Sequence, residues 1–146
     1  MKINPLLFSG VLWLAACQNG EQVQINTLEK EVMMIHDAVM PKMGELVALE
    51  NTLRKHIAQA DSLLKIKPND ATLQQALEQS RFLASQLQEA DRSMMEWMHH
   101  YNGDSLKKLP PSQAIQALTQ EKIKIEQVSD DMLKSIDDTQ NFLKQQ

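Results

Sequence analysis

The chain has 146 residues, which is long enough for one domain with a modest hydrophobic core. Few turn formers and few β-branched runs argue against a β-sheet protein, whereas the prevalent Leu, Ala, Gln, Glu, Lys and Met favour helix. With 15 basic and 19 acidic residues, the formal net charge of −4 argues against nucleic acid as a partner.

The N-terminus carries the most specific motif of the chain. Lys2 precedes an apolar stretch that is too short to span a bilayer and that ends in Leu14-Ala15-Ala16-Cys17. This ending resembles the lipobox of bacterial lipoproteins. The resemblance implies that Cys17 receives diacylglycerol, that a peptidase cuts before it, and that the new amine is acylated. The alternative is an ordinary signal peptide cut after Ala16, which would leave Cys17 as a free thiol.

This motif predicts the organisation of the chain. Residues 1–16 are expected to be a signal peptide that is removed, 17–24 an acylated cysteine with a polar tether, and 25–146 the folded body. Removal of 1–16 takes away Lys2 and no acidic residue, so 14 basic and 19 acidic residues remain and the net charge becomes −5. That charge argues against electrostatic docking on anionic lipid. Gln18 follows the cysteine where enterobacterial inner-membrane lipoproteins carry Asp, so the resemblance favours the outer membrane, with the body in the periplasm.

Helical periodicity dominates the rest of the sequence. Apolar residues recur at heptad spacing from Ile25 to Leu64, and Pro41 predicts a kink or break in this first helix. A turn at 65–70, with Asn69 or Asp70 as a cap, leads to a second helix from Ala71 to Tyr101. A third helix is predicted from Pro111 to Leu143. The sequence therefore predicts an all-α fold. Because short connections make neighbouring helices antiparallel, the expected architecture is an elongated up-down-up three-helix bundle.

No motif for catalysis occurs in the sequence. Serine–histidine–aspartate signatures, glycine-rich phosphate loops, zinc-ligand spacings and HExxH are all missing, and the single cysteine forms no intrachain disulfide. The carboxylates fall mainly on the predicted polar faces of the helices. We therefore expect a non-enzymatic protein.

Methionine and histidine form two patches that are far apart in sequence. They comprise Met33, Met34, His36, Met40 and Met43 in one patch, and Met94, Met95, Met98, His99 and His100 in the other. If the first two helices pair about the 65–70 turn, facing residue numbers sum to about 135, so the patches meet at one level of the bundle. Helical spacing places His36, Met43, Met94 and Met98 near the centre of the apolar stripes and Met33 and Met40 on a flank. Met34, Met95, His99 and His100 lie partly or wholly outside the stripes.

Three interpretations of this level remain open. Methionine fills irregular gaps beside a proline kink and forms adaptable binding surfaces, which favours core packing combined with an envelope partner. Thioether and imidazole also suit Cu(I), so a candidate soft-metal site consists of His36, Met40, Met43, Met94 and Met98. A b-type haem held by one histidine and one methionine is a further alternative, although no pocket is evident from the sequence.

The segments Glu31–Glu45, Met94–Met98 and Lys124–Leu133 resemble small helical lipoproteins of Gram-negative envelopes that carry the label of viral A-type inclusion protein-like. The likeness consists of shared coiled-coil periodicity. It implies no activity and transfers no functional residue. The leading hypothesis is therefore a lipid-anchored helical module that binds another envelope component, and the alternative is soft-metal binding.

Overall fold

The computed structural model describes residues 14–145, with side chains from Asn19 onward. Every element in this part of the chain is helical, which confirms the all-α prediction. The predicted signal peptide up to residue 13, and the side chain of Cys17, lie outside the described residues. None of the described helices has a stretch long and apolar enough to cross a membrane.

The first arm of the bundle contains two helices in series. Helix α1 spans Leu14–Val39, a 3₁₀ turn occupies Met40–Lys42, and helix α2 spans Met43–Leu64. Helix α1 begins eleven residues before the predicted start at Ile25, so residues 18–24, which the sequence analysis assigned to a polar tether, are helical. This segment is polar but rich in Gln and Glu, which are good helix formers, and Gln22 donates to Asn26 one turn later.

Helix α3 spans Ala71–His100, close to the predicted range. Its N-cap is Asp70, whose carboxylate accepts from the Leu73 backbone N–H at 3.1 Å, as the sequence indicated. After the extended residue Tyr101, a short helix α4 at Gly103–Leu106 stands where only a helix stop was expected. Asn102 caps it by accepting from the Ser105 N–H at 3.0 Å.

Helix α5 spans Pro111–Leu143, as predicted. Pro111 occupies the first helical position, where its missing N–H costs no hydrogen bond. The main packing pairs are α1 with α5, α2 with α3, and α3 with α5. This arrangement gives the helical bundle one shared interior.

Polar contacts link neighbouring helices. Gln88 of α3 donates to Glu50 of α2 at 2.8 Å, and Arg81 of α3 pairs with Asp61 of α2 at 2.9 Å. Lys122 of α5 contacts Glu31 of α1 at 2.8 Å.

The core follows the predicted stripes with a few departures. Val32, Val39, Leu46, Leu53, Leu87, Met94, Ile125 and Met132 are fully buried in one cluster. Leu63, within the heptad series predicted from Ile25 to Leu64, is 49% exposed, because α2 is covered mainly by α3. Leu83, Ala90 and Trp97 are buried along with Leu87 and Met94, because α3 packs against both α2 and α5.

Candidate functional site

The first methionine and histidine patch spans the point where α-helical hydrogen bonding is interrupted, whereas the second lies within helix α3. Pro41 has no N–H to donate, and the backbone over Met40–Lys42 adopts a 3₁₀ turn in which the Met43 N–H bonds to the Met40 carbonyl. Pro41 itself is exposed. The interruption therefore falls on the outer side of the arm, while the methionines beside it reach the interior.

The inward methionines belong to one hydrophobic cluster. Met94 of α3 is fully buried, and Met40, Met43 and Met98 are half-buried and pack against the same cluster. Segments that are distant in sequence thus contribute thioethers to a common interior. These flexible side chains fill the space around the 3₁₀ turn.

His36 lies at the edge of this interior rather than at its centre. Its side chain is 16% exposed, and its ring lies 5.5 Å from the Trp97 ring at a tilt of 33°. Nδ1 is 2.9 Å from Oδ1 of Asp37, an exposed neighbour. The ring is therefore oriented by an aromatic contact with Trp97 and by the Asp37 carboxylate.

The outward set is exposed, in agreement with the helical spacing. Met34 is 59% and Met95 54% exposed, and both histidines at the end of α3 are also on the surface. The rings of His99 and His100 meet edge-on at 5.2 Å, and His100 Nδ1 donates to the Glu96 carbonyl at 2.8 Å. Two large thioethers thus face solvent, whereas Met94 is buried and Met40, Met43 and Met98 are half-buried.

Sequence reasoning missed a column of aromatic rings beside this level. Trp97 stacks on Tyr101 with ring centroids 4.7 Å apart, and the His36 ring also contacts the indole, with centroids 5.5 Å apart. The Trp97 Nε1–H donates to Glu121 of α5 at 3.1 Å, and Lys124 donates to the second oxygen of that carboxylate. The i,i+4 spacing of Trp97 and Tyr101 was the available signal, since such pairs stack on one helix face.

The Tyr101 hydroxyl is buried without a hydrogen-bond partner among the described residues. Burial raises the pKa of this phenol, and the nearby Glu29 carboxylate raises it further, while Lys107 acts in the opposite direction. Lys107 lies 2.8 Å from Glu29 and 3.3 Å from Asp104. The column is therefore closed at one end by an ion-pair network that ties α4 to α1.

The titratable side chains at this level do not form a metal-binding group by themselves. Nowhere in the described part of the chain do three or more His, Cys, Asp or Glu side chains converge as possible ligands. A soft-metal site here would have to combine His36 with methionine sulfur. The aromatic column and the methionine interior are otherwise suited to packing and to contact with a partner.

Comparisons with known proteins give no family and no relative for this chain. No protein-family model, curated protein or solved structure matches it. Its function is therefore inferred from its own residues and their geometry.

Proposed function

We propose that this protein is a lipid-anchored, non-enzymatic helical module that binds another component of the bacterial cell envelope. Acylation at Cys17 would hold it at the outer membrane with its body in the periplasm. The lipobox-like residues Leu14–Cys17 support the anchor. The excess of acidic over basic residues supports a partner other than nucleic acid.

The finer architecture is part of the proposal. We treat α1 and α2 as one arm that bends at Pro41, with α3 returning beside it and α5 running in the direction of the first arm. The opposed numbering of the α2–α3 contacts supports the antiparallel return. Glu31 pairs with Lys122, and Glu45 accepts a hydrogen bond from Gln140. Because the residue numbers rise together along the first arm and along α5, these contacts support an α5 that runs parallel to the first arm.

The observation that carries the binding function is the exposure of Met34 and Met95 close to the level of the 3₁₀ turn. Core filling explains the buried and half-buried methionines but gives no reason for two thioethers that are each more than half exposed. Methionine is flexible and polarisable, so each exposed side chain can adapt its shape to a partner. His99 and His100, which are exposed at the end of α3, are included in the proposed surface.

Photo-crosslinking in cells tests this surface. A photoreactive amino acid at position 34, 95 or 100 is expected to capture the same envelope protein, because these positions face solvent near one level of the bundle. Leu133, which is 44% exposed on α5, is the control position. Capture of one product at 34 and 95 but not at 133 supports the surface. Equal capture at all positions, or none at 34, 95 and 100, contradicts it.

Cu(I) binding is the second candidate, favoured by the presence of Met40, Met43, Met94 and Met98 in one cluster with His36 at its edge. If this function holds, His36→Ala and Met98→Leu should each weaken Cu(I) binding about tenfold or more, which is the loss of roughly 1.4 kcal/mol. Met34→Leu should leave the affinity unchanged because Met34 faces outward. A titration against a competing Cu(I) chelator measures all three, and absence of binding by the unmodified protein rules the site out.

A further inference from the structure

The helical continuity of α1 determines how the anchor and the body are joined. The backbone runs as one uninterrupted helix from Leu14 through Cys17 to Val39. Ile25, which is buried in the body, lies eight residues beyond Cys17, or about 12 Å along the helix axis. A helix of this length holds its two ends at a fixed spacing, whereas a flexible tether would let the body rotate freely.

The packing of Ile25 identifies the end of the bundle that lies nearest the anchor. Ile25 forms a small cluster with Ala114 and Leu118 of α5, and Leu106 of α4 packs against it. One turn further along α1, Glu29 contacts Lys107 at 2.8 Å. The segment that contains α4 and the loop after it therefore packs against the third and fourth turns of α1 beyond Cys17.

The loop at this end has the chemistry of a membrane-interface contact. Leu109 is 38% exposed, Val23 on α1 is 65% exposed, and Lys108 and Pro110 are also exposed. The loop is compact, because the Lys108 N–H bonds to the Ser105 carbonyl and the Leu109 N–H to the Leu106 carbonyl. An exposed leucine beside a lysine suits an interface, where the apolar group enters the acyl boundary and the ammonium stays in water.

Charge at this end is balanced. Lys107 is paired with both Glu29 and Asp104, which leaves Lys108 as the exposed cation of the loop. Attraction to anionic lipid is therefore small, and contact would depend on the apolar side chains and on their fixed closeness to the anchor.

We propose that the bundle stands on the lipid surface through the loop 107–110 and Val23, and that the α2–α3 turn at 65–70 points away from the membrane. The inference rests on the proposed acylation of Cys17. The lipid surface is the occupant favoured over a protein because this end is joined to the acylated residue by about 12 Å of continuous helix. The first arm from Cys17 to Leu64 would then raise the far turn by as much as roughly 70 Å.

Site-specific fluorescence tests this orientation in the full-length, processed protein. Acylation consumes the Cys17 thiol, so a cysteine introduced by Leu109→Cys is the only thiol left for a fluorophore. Ile66→Cys, at a position 77% exposed in the far turn, is the matched control, and Leu133→Cys controls for a similarly exposed leucine on α5. Each labelled protein is placed in phosphatidylcholine vesicles that contain a nitroxide-labelled phosphatidylcholine quencher.

The expected result is loss of most of the fluorescence at position 109 and no loss at 66 or 133, with the same values at low and high salt. The informative sample is protein whose intact mass shows acyl chains and which floats with the vesicles. If quenching at position 109 in that sample is absent, or equal to that at 66 and 133, the orientation is overturned and the anchor stays in place. An unmodified Cys17 in protein that does not float with vesicles overturns the proposed anchor and the orientation with it.

Discussion

Leu87→Asp is expected to destabilise the protein by about 4 kcal/mol or more, a large part of the stability of a typical domain. Leu87 is fully buried in the main hydrophobic cluster on α3. Aspartate there removes apolar contacts, leaves a cavity and brings a carboxylate into an interior that offers it no cation. Thermal unfolding followed by circular dichroism should show the transition shifted far down or lost.

Two further variants separate this effect from a general sensitivity to substitution. Leu133→Asp introduces the same residue at a position that is 44% exposed, so it should change the midpoint little. Leu87→Met keeps the volume nearly constant and should cost less than about 1.5 kcal/mol. If Leu87→Asp unfolds at the same temperature as Leu133→Asp, the helix face assigned to the core is wrong.

Periodicity predicted much of this fold because it is a local property of the chain. Leu87, Leu118 and Ile125 are buried as their spacing indicates, and the bounds of α5 agree with the structure. The early start of α1 was missed because residues 18–24 carry no apolar repeat, although their helix propensity is high. Apolar spacing detects the buried face of a helix and gives little signal for a stretch that is polar all round.

The candidate site was predictable only in part for a related reason. Helical spacing alone put Met94 and Met98 on the core stripe and Met40 on its flank, and all three belong to the main hydrophobic cluster. The contacts of Trp97 with His36 and Glu121, and of Glu29 with Lys107, join four separate segments of the chain. No repeat in the sequence encodes such contacts, since they depend on the rotation of each helix about its axis.

Gly103→Ala is expected to destabilise the protein by about 1–3 kcal/mol, the usual cost of overpacking. A Cβ at this position would lie 2.8 Å from the Tyr101 hydroxyl oxygen and 3.0 Å from Glu29 Oε1. Neither neighbour moves freely, because the Tyr101 ring stacks on Trp97 and Glu29 is paired with Lys107. Chemical denaturation of the two proteins measures the difference.

Tyr101→Phe provides the matched test, because it removes the closest atom that the new Cβ would meet. The Tyr101 hydroxyl is buried and has no partner among the described residues, so its loss alone should leave stability unchanged or slightly higher. In the Gly103→Ala/Tyr101→Phe double variant, much of the Gly103→Ala penalty should disappear. If the effects of Gly103→Ala and Tyr101→Phe on the free energy of unfolding are strictly additive, the Tyr101 hydroxyl is not the atom that obstructs the new Cβ.

The pH dependence of Tyr101→Phe gives an independent check. Burial raises the pKa of the Tyr101 phenol in the folded chain, so the folded state holds this proton more tightly than the unfolded state does. The resulting stability is fully present below the ordinary tyrosine pKa and is lost as the pH rises through the raised value. Wild-type protein should therefore lose more stability than Tyr101→Phe above about pH 10. Parallel stability curves for the two proteins across that range would show that the phenol is solvated and that the network of Glu29 and Lys107 does not enclose it.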